Sequence, residues 1–369
     1  MECSLETLLK YEQPTKYIVA SEEYSDEYPI PVLTAGKSFI LGYTNEENGI
    51  CRASISPVII YDDFTTDSKY VDFDFKVKSS AMKILHQINK EDNLRYLFYV
   101  VSYLKYTPFS HKRTWISDFS KLRIKYRLPI EQNAIVSELD KIQAALDNKK
   151  EQLKKLDELI QSKFYEMFGD PVVNDKGWKV EKLGKMGTLK NGLNYSQNEE
   201  GCTIRILSVS DFKDRFKIED VTQLSTISLS QMPSDEMLLK DGDIVFVRSN
   251  GNKKLVGRSL LVYPRNEPTS FSGFCIRFRN NSKLIDNTFL VTCLKTDSIR
   301  EKLFGRGANI SNLNQTMLQS LVIPCPPLSL QQTYTIYVEK VEQAKAIVNQ
   351  EIAHLQELLN SRMDYYFRK

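Results

Sequence analysis

A chain of 369 residues with 41% apolar side chains is long enough for two or three folded domains, and its formal net charge of +3 is too small to argue for a nucleic-acid partner by itself. Six cysteines without a C-x-x-C pair and only three histidines leave a zinc site and disulfides unexpected, with Cys275 and Cys293 read as buried free thiols. The first residues combine neither a basic start nor an apolar core, and no apolar run approaches the ~18 residues of a membrane span, so a soluble, cytoplasmic protein is expected.

Short strand-like runs at 30–34, 38–42 and 51–60 open the chain. Val71, Phe73, Phe75 and Val77 then alternate with Asp72, Asp74, Lys76 and Lys78, the period-two pattern of a half-buried strand with a solvated face. Residues 93–106 read as a helix, Pro108 and Ser110 open a basic loop leading to Trp115, and Leu122 and Ile124 form a brief strand before Pro129. From 131 to 168, apolar side chains at Ile135, Leu139, Ile142, Leu146, Leu153, Leu156, Ile160, Phe164 and Met167 advance in steps of four and three, a coiled-coil seam. Pro129 before it and Gly169-Asp170-Pro171 after it punctuate a helix about 57 Å long at ~1.5 Å per residue.

The second half begins at Gly177-Trp178, with strands predicted at 203–209, 243–248, 259–263 and 274–279 and a helix over 287–304 that uses Asn287 as its cap. Leu321 and Ile323 repeat Leu122 and Ile124, three prolines bar any helix, and Ser329-Leu330-Gln331-Gln332 reads as the capping box of a second long helix. A shift of 199 positions maps the first seam onto Tyr334, Val338, Val341, Val348, Ile352, Leu355, Leu359, Met363 and Tyr366, with identities at Gln132/Gln331 and Phe168/Phe367 among others. Each seam has one polar break, Lys149 or Lys345, of a kind that fixes helix register. The expected fold is therefore α+β: a tandem repeat with a pseudo-two-fold axis, two sheet-containing domains separated by an antiparallel coiled coil of two long helices. Two domains on such a spacer suit two short segments of a duplex about a helical turn of ~34 Å or more apart.

Enzymatic chemistry is poorly supplied. Gly36-Lys37-Ser38 imitates the end of a phosphate-binding loop, yet Pro31 stands where its first glycine belongs. Asp74-Phe75-Lys76 with Asp62 or Asp63 imitates a nuclease centre, but the simpler reading is the solvated face of a strand. No methyltransferase motif and no G-x-S-x-G elbow occurs, and no cofactor or metal is expected.

Recognition chemistry is better represented. Residues 105–127 carry seven Lys and Arg against the single acid Asp118, and Arg248 to Arg265 forms a second basic stretch. Arg248, Ser249, Asn250, Asn252, Lys253, Lys254 and Arg258 leave a strand with guanidinium, amide and ammonium donors suited to base edges and phosphates, or else form an ordinary polar hairpin loop. Arg306, Asn309, Ser311, Asn312, Asn314 and Gln315 offer further hydrogen bonds, or else brace their own loop. In the first half the candidates are Lys37, Tyr43, Thr44, Lys112, Arg113 and Trp115, with a core position as the alternative for Trp115. Asp243 and Ile244 are read as serving the fold alone.

The second half resembles the specificity subunit of type I restriction and modification systems. The likeness is carried by Trp178 through Leu183-Gly184, Leu239-Lys240-Asp241-Gly242-Asp243-Ile244-Val245-Phe246-Val247-Arg248-Ser249-Asn250-Gly251, Val256-Gly257-Arg258, Gly305-Arg306-Gly307, Ser311-Asn312-Leu313-Asn314-Gln315 and Ile323-Pro324-Cys325-Pro326-Pro327-Leu328. The first half resembles a target-recognition domain of that family through Tyr17-Ile18-Val19, residues 31–37 and Ile40-Leu41-Gly42-Tyr43-Thr44, but lacks the Gly-Asp-Ile and Ser-Asn-Leu-Asn-Gln runs. The resemblance implies target-recognition domains at 1–129 and 170–328 and spacer helices at 130–169 and 329–369. It also implies a split target on double-stranded DNA, docking of two modification subunits that methylate adenine, and restriction subunits joined through the complex, with no catalysis in this chain. The rival readings are a stand-alone nuclease or methyltransferase and a coiled-coil scaffold that binds no DNA.

Overall fold

The computed structural model describes residues 2–34, 39–104, 113–196, 200–212, 215–252, 255–304 and 312–368. The chain divides into two compact units, one made of Met1–Lys150 with Gln350–Lys369 and the other of Glu151–Asn349. Mixed sheet and helix occur in both.

The first unit holds a four-stranded antiparallel sheet in the order Leu9–Glu12, Met82–Gln87, Val58–Asp62, Ser68–Val71, and a three-stranded sheet in the order Ile40–Thr44, Ile30–Leu33, Lys76–Val77. The alternating run expected from Val71 to Val77 is therefore not one strand. Val71 ends a strand of the larger sheet, and Lys76–Val77 pairs in parallel with Val32 and Leu33 in the smaller one. Nor does its polar side face solvent throughout, because Lys76 is buried, paired with Glu46 at 2.9 Å and donating to the Asn48 carbonyl at 2.6 Å. The helix Leu94–Tyr103 packs on the larger sheet and is capped by Asn93, whose side chain accepts from the Arg95 and Tyr96 amides.

The first long helix, Pro129–Phe168, ends where expected. Gly169 turns it off at φ +74, a left-handed conformation that glycine adopts without a Cβ penalty. The indole N–H of Trp178 donates to the Phe168 carbonyl at 2.9 Å and satisfies one of the carbonyls the helix leaves open. Within the first unit its residues pack antiparallel to the end of the second long helix, Leu328–Phe367: Glu138 meets Arg362 and Tyr366, and Lys149 pairs with Glu351 at 2.7 Å. Ile135, Leu139, Ile142, Leu146 and Leu359 are buried there, and Ile352 and Leu355 half-buried.

The second unit carries the five-stranded sheet Gly187–Asn191, Cys275–Asn280, Asp243–Val247, Ser259–Val262, Lys217–Ile218, and a three-stranded sheet Thr226–Leu229, Cys202–Leu207, Thr269–Phe271. The predicted strands appear with ends shifted by a residue or two. The helix predicted over 287–304 is two, Asn287–Lys295 and Asp297–Phe304, because Thr296 takes extended backbone at ψ 145. Its cap is Asp286 rather than Asn287: the Asp286 carboxylate accepts from the Thr288 and Phe289 amides, while Asn287 donates to the Gly242 carbonyl. The second long helix starts at Leu328, so Ser329 lies inside its first turn instead of capping it.

Within this unit the long helices again run antiparallel. The Tyr334 hydroxyl donates to the Ile160 carbonyl at 3.0 Å, and Lys345 bridges Asp157 and Glu342. Ile160, Val338, Val341 and Val348 are buried, and Leu153 and Leu156 half-buried. In both units a two-stranded ladder marks the repeat: Cys3 pairs with Ile124 in one and Glu181 with Ile323 in the other.

Candidate nucleic-acid interface

The strand Asp243–Val247 is wholly buried, and its exit delivers Arg248, Ser249 and Asn250 to a half-buried rim. Asp243 fixes this strand from below, accepting from Arg279 Nε at 2.8 Å and Nη2 at 2.7 Å and from the Lys240 amide at 2.7 Å. That bond raises the Arg279 pKa, and Asp243 thus has the structural role expected of it.

Two stretches that are far apart in sequence meet at this rim. Ser249 and Asn312 form an antiparallel bridge, and the Leu313 amide donates to the Arg248 carbonyl at 2.7 Å. Leu313 is buried and holds the second stretch in place, leaving Asn312 exposed beside Arg248 and Ser249. The Arg248 guanidinium leans toward the Gly273 carbonyl at 3.3 Å, and its amide donates to Phe274 at 2.7 Å.

Several candidates turn out to brace the backbone. The Asn314 side chain accepts from the Met317 amide and caps the helix Gln315–Ser320, whose first residue is half-buried Gln315. Asn250 accepts from the Asn252 amide at 2.8 Å. Arg258 is half-buried and lines an open pocket of the second unit rather than standing on the rim. Lys253, Lys254, Arg306, Asn309 and Ser311 lie outside the described residues.

In the first unit, Tyr43 is half-buried and Arg113 exposed, whereas Lys37 and Lys112 lie outside the described residues. Thr44 and Trp115 are corrected to core positions. Thr44 is 1% exposed, with its hydroxyl accepting from the Glu46 amide. Trp115 is 2% exposed, edge-on to Tyr61 at 5.1 Å and stacked with Phe119 at 6.0 Å. Its amide donates to Asp63 at 2.8 Å, and Asp63 in turn faces the buried Lys83 ammonium at 3.3 Å. An indole so enclosed cannot reach a ligand, but this network fixes the segment that carries Arg113.

Sequence reasoning missed Phe274. The sequence pattern places it in a strand, yet it stands 63% exposed beside Arg248, an uncommon position for a large aromatic. The exposure was hidden because Phe274 abuts the apolar strand Cys275–Asn280 in sequence.

The nuclease lookalike dissolves. Asp74 bonds Ser54 at 2.6 Å and Arg52 at 2.7 Å, and Ser54, then Arg52, holds its carboxyl below the ordinary range. No grouping of three or more metal-binding side chains occurs among the described residues. Among them, too, no helix is long and apolar enough to cross a membrane.

Comparison with known proteins decides the family. The family described as type I restriction modification DNA specificity domain matches residues 175–357. The specificity subunit of the type I restriction enzyme EcoR124I/EcoR124II of Escherichia coli is 31% identical over 97% of this chain and 91% of that protein. The chain is a type I restriction-modification specificity subunit. A second relative, the StySPI specificity subunit of Salmonella potsdam, is 25% identical over 68% of this chain and 58% of its own length. The type I S subunit structure from M. genitalium has the same fold, with a TM-score of 0.54 over 100% of this chain and 96% of that one at 15% identity. As a specificity subunit, this chain is a DNA-recognition component without catalysis of its own. The stand-alone nuclease and methyltransferase readings thereby fall away.

Proposed function

We propose that this specificity subunit reads a two-part target on double-stranded DNA, one part per unit, and directs adenine methylation and restriction by two modification subunits and their associated restriction subunits in the cytoplasm. The observation that carries the reading is the meeting of Arg248, Ser249 and Asn312 on one rim, with exposed Phe274 beside them. A guanidinium next to hydroxyl and amide groups can distinguish base pairs in a major groove, and an exposed aromatic ring can contact a thymine methyl or wedge a base step. In the first unit, Tyr43 and Arg113, with Lys37 and Lys112, would supply the matching contacts. Lys253, Lys254, Arg306, Asn309 and Ser311 would add phosphate and base contacts in the second.

The duplicated framework supports a target with two halves, since the Cys3–Ile124 and Glu181–Ile323 ladders belong to equivalent supports. The domain limits 1–129 and 170–328, with spacer helices 130–169 and 329–369, belong to the same proposal. Selection from a random duplex library with the purified chain tests it. Enrichment of a motif split by an unspecified spacer is expected; a single unbroken motif, or no enrichment, overturns the two-part reading.

A further inference from the structure

The two units share one sheet topology, which locates the first unit's counterpart of the rim. Leu9–Glu12, Met82–Gln87, Val58–Asp62 and Ser68–Val71 follow the same antiparallel order as Gly187–Asn191, Cys275–Asn280, Asp243–Val247 and Ser259–Val262. The small sheets agree as well: the central strand, Ile30–Leu33 or Cys202–Leu207, has one antiparallel and one parallel neighbour. The buried strand Val58–Asp62 therefore stands where Asp243–Val247 stands, with Asp62 opposite Met82 as Val247 is opposite Cys275.

Beyond that last pair the backbone bonds match residue by residue. The Asp63 amide donates to the Ala81 carbonyl at 3.4 Å, as the Arg248 amide does to Phe274. The Thr114 amide donates to the Asp63 carbonyl at 3.0 Å, as the Leu313 amide does to Arg248. Thr114 and Leu313 are 199 positions apart, the interval of the helix repeat, although the first unit lacks the Ser-Asn-Leu-Asn-Gln run. Phe64 and Arg113 flank this bond in the first unit as Ser249 and Asn312 flank it in the second.

The same places carry different side chains. Asp63, in the place of Arg248, is buried between Lys83 and the Trp115 amide, and Ala81, in the place of Phe274, offers no ring. Arg113, in the place of Asn312, is exposed, and Phe64, in the place of Ser249, is 40% exposed. Each rim thus holds one guanidinium and one exposed aromatic ring, carried by different segments in the two units.

A tight turn holds the Phe64 ring outward. Asp62 is 6% exposed, and its Oδ1 accepts from the Phe64 amide at 2.8 Å and the Thr65 amide at 3.2 Å. The Thr66 amide donates to the Asp62 carbonyl at 3.0 Å, and Thr66 takes φ +65, a left-handed conformation that a β-branched residue rarely accepts. Strained backbone of this kind clusters where a side chain must be presented to a ligand. A ring kept in water by such a turn gains from a partner that covers it.

We propose that Phe64 and Arg113 read the first half of the DNA target, Arg113 at a guanine edge in the major groove and Phe64 at a thymine methyl or a base step. The inference rests on the two-part reading above and supplies the residues of its first half.

Selection from a random duplex library with the full chain, parent and variants, tests it. Arg113→Ala and Phe64→Ala should each relax preference about tenfold at a position in one half of the motif, leaving intact the half that Arg248→Ala relaxes. Arg113→Lys should keep affinity for random duplex within about threefold and still lose that preference, because an ammonium retains the attraction to phosphate without the planar fork. Should Phe64→Ala fail to fold, the two Arg113 variants, altered at an exposed side chain, carry the test. A parent chain that enriches no split motif overturns the two-part reading itself. A parent that enriches one, while the Phe64 and Arg113 variants keep every preference or relax the half assigned to Arg248, overturns this proposal alone. So does uniform weakening of Arg113→Ala across all sequences, which would make Arg113 a phosphate contact.

Discussion

Gln132 and Gln331 occupy equivalent places 199 positions apart, and their side chains share two equivalent bonds. Each is 0% exposed; each Oε1 accepts, at 2.8 Å, the amide of the residue that caps a short helix, Asn93 in one unit and Asp286 in the other. Each Nε2 donates to the carbonyl five residues upstream, Arg127 at 2.9 Å and Pro326 at 2.7 Å. One glutamine per unit thus ties the start of a long helix to the start of a short one.

Replacing either glutamine with leucine leaves a buried amide and at least one carbonyl without partners, so each variant should lose about 2–3 kcal/mol of stability. Denaturant unfolding of Gln132→Leu and Gln331→Leu measures this. A loss below about 0.5 kcal/mol would mean that water replaces the side chain.

The last aromatic of each long helix repeats the pattern. Phe168 meets Phe289 edge-on at 4.7 Å in the second unit, and Phe367 meets Tyr96 edge-on at 5.6 Å in the first. Phe168 is 1% exposed while Phe367 is half-buried, so Phe168→Ala should cost about 3–5 kcal/mol and Phe367→Ala clearly less. Thermal unfolding of the two variants side by side checks the order.

At the rim, Arg248→Ala should relax selection at one position of the second half-site at a cost of about 1–3 kcal/mol. Uniform weakening across all sequences would make Arg248 a phosphate contact instead. Phe274→Ala should weaken DNA binding with little change in melting temperature, since the ring is 63% exposed and contributes little to the core. A large drop in melting temperature would assign Phe274 to the fold.

Lys295 makes a pH prediction with a definite sign. Its folded pKa, about 8, lies below the ordinary 10.5, so between those values the unfolded chain binds more protons and this group's contribution to stability rises with pH. Burial of the side chain sets the shift, Lys345 and Arg258 add to it, and Glu342 and Asp157 oppose it. Lys295→Met should therefore stabilise the chain most at pH 7, with the gain shrinking toward pH 10. Melting temperatures of the variant and parent across that range decide it; a pH-independent difference would contradict the shift.

The repeat, both long helices and most strands were legible because they rest on periodicity and on prolines and glycines at fixed offsets. The run from Val71 to Val77 misled because alternation reports which side is apolar, not which sheet a residue joins, and Lys76 is buried through an ion pair with Glu46, far off in sequence. Trp115 shows a like limit: a tryptophan in a basic stretch reads as a contact until Tyr61, Phe119 and Asp63 close around it. Asp286 and Asn287 are both good caps, and the choice was settled by Asn287 bonding Gly242. Convergence of Arg248 with Asn312 depends on a bridge between segments more than 60 positions apart, which no local pattern encodes.

The central claim is that this specificity subunit reads a two-part DNA target on behalf of a methylating assembly. Genome-wide mapping of methylated adenine in cells carrying this gene, intact and deleted, tests it most directly. Loss of methylation at one split motif on deletion, with Arg248→Ala broadening a single position in one half, is the expected result. An unchanged methylation map on deletion would contradict the account.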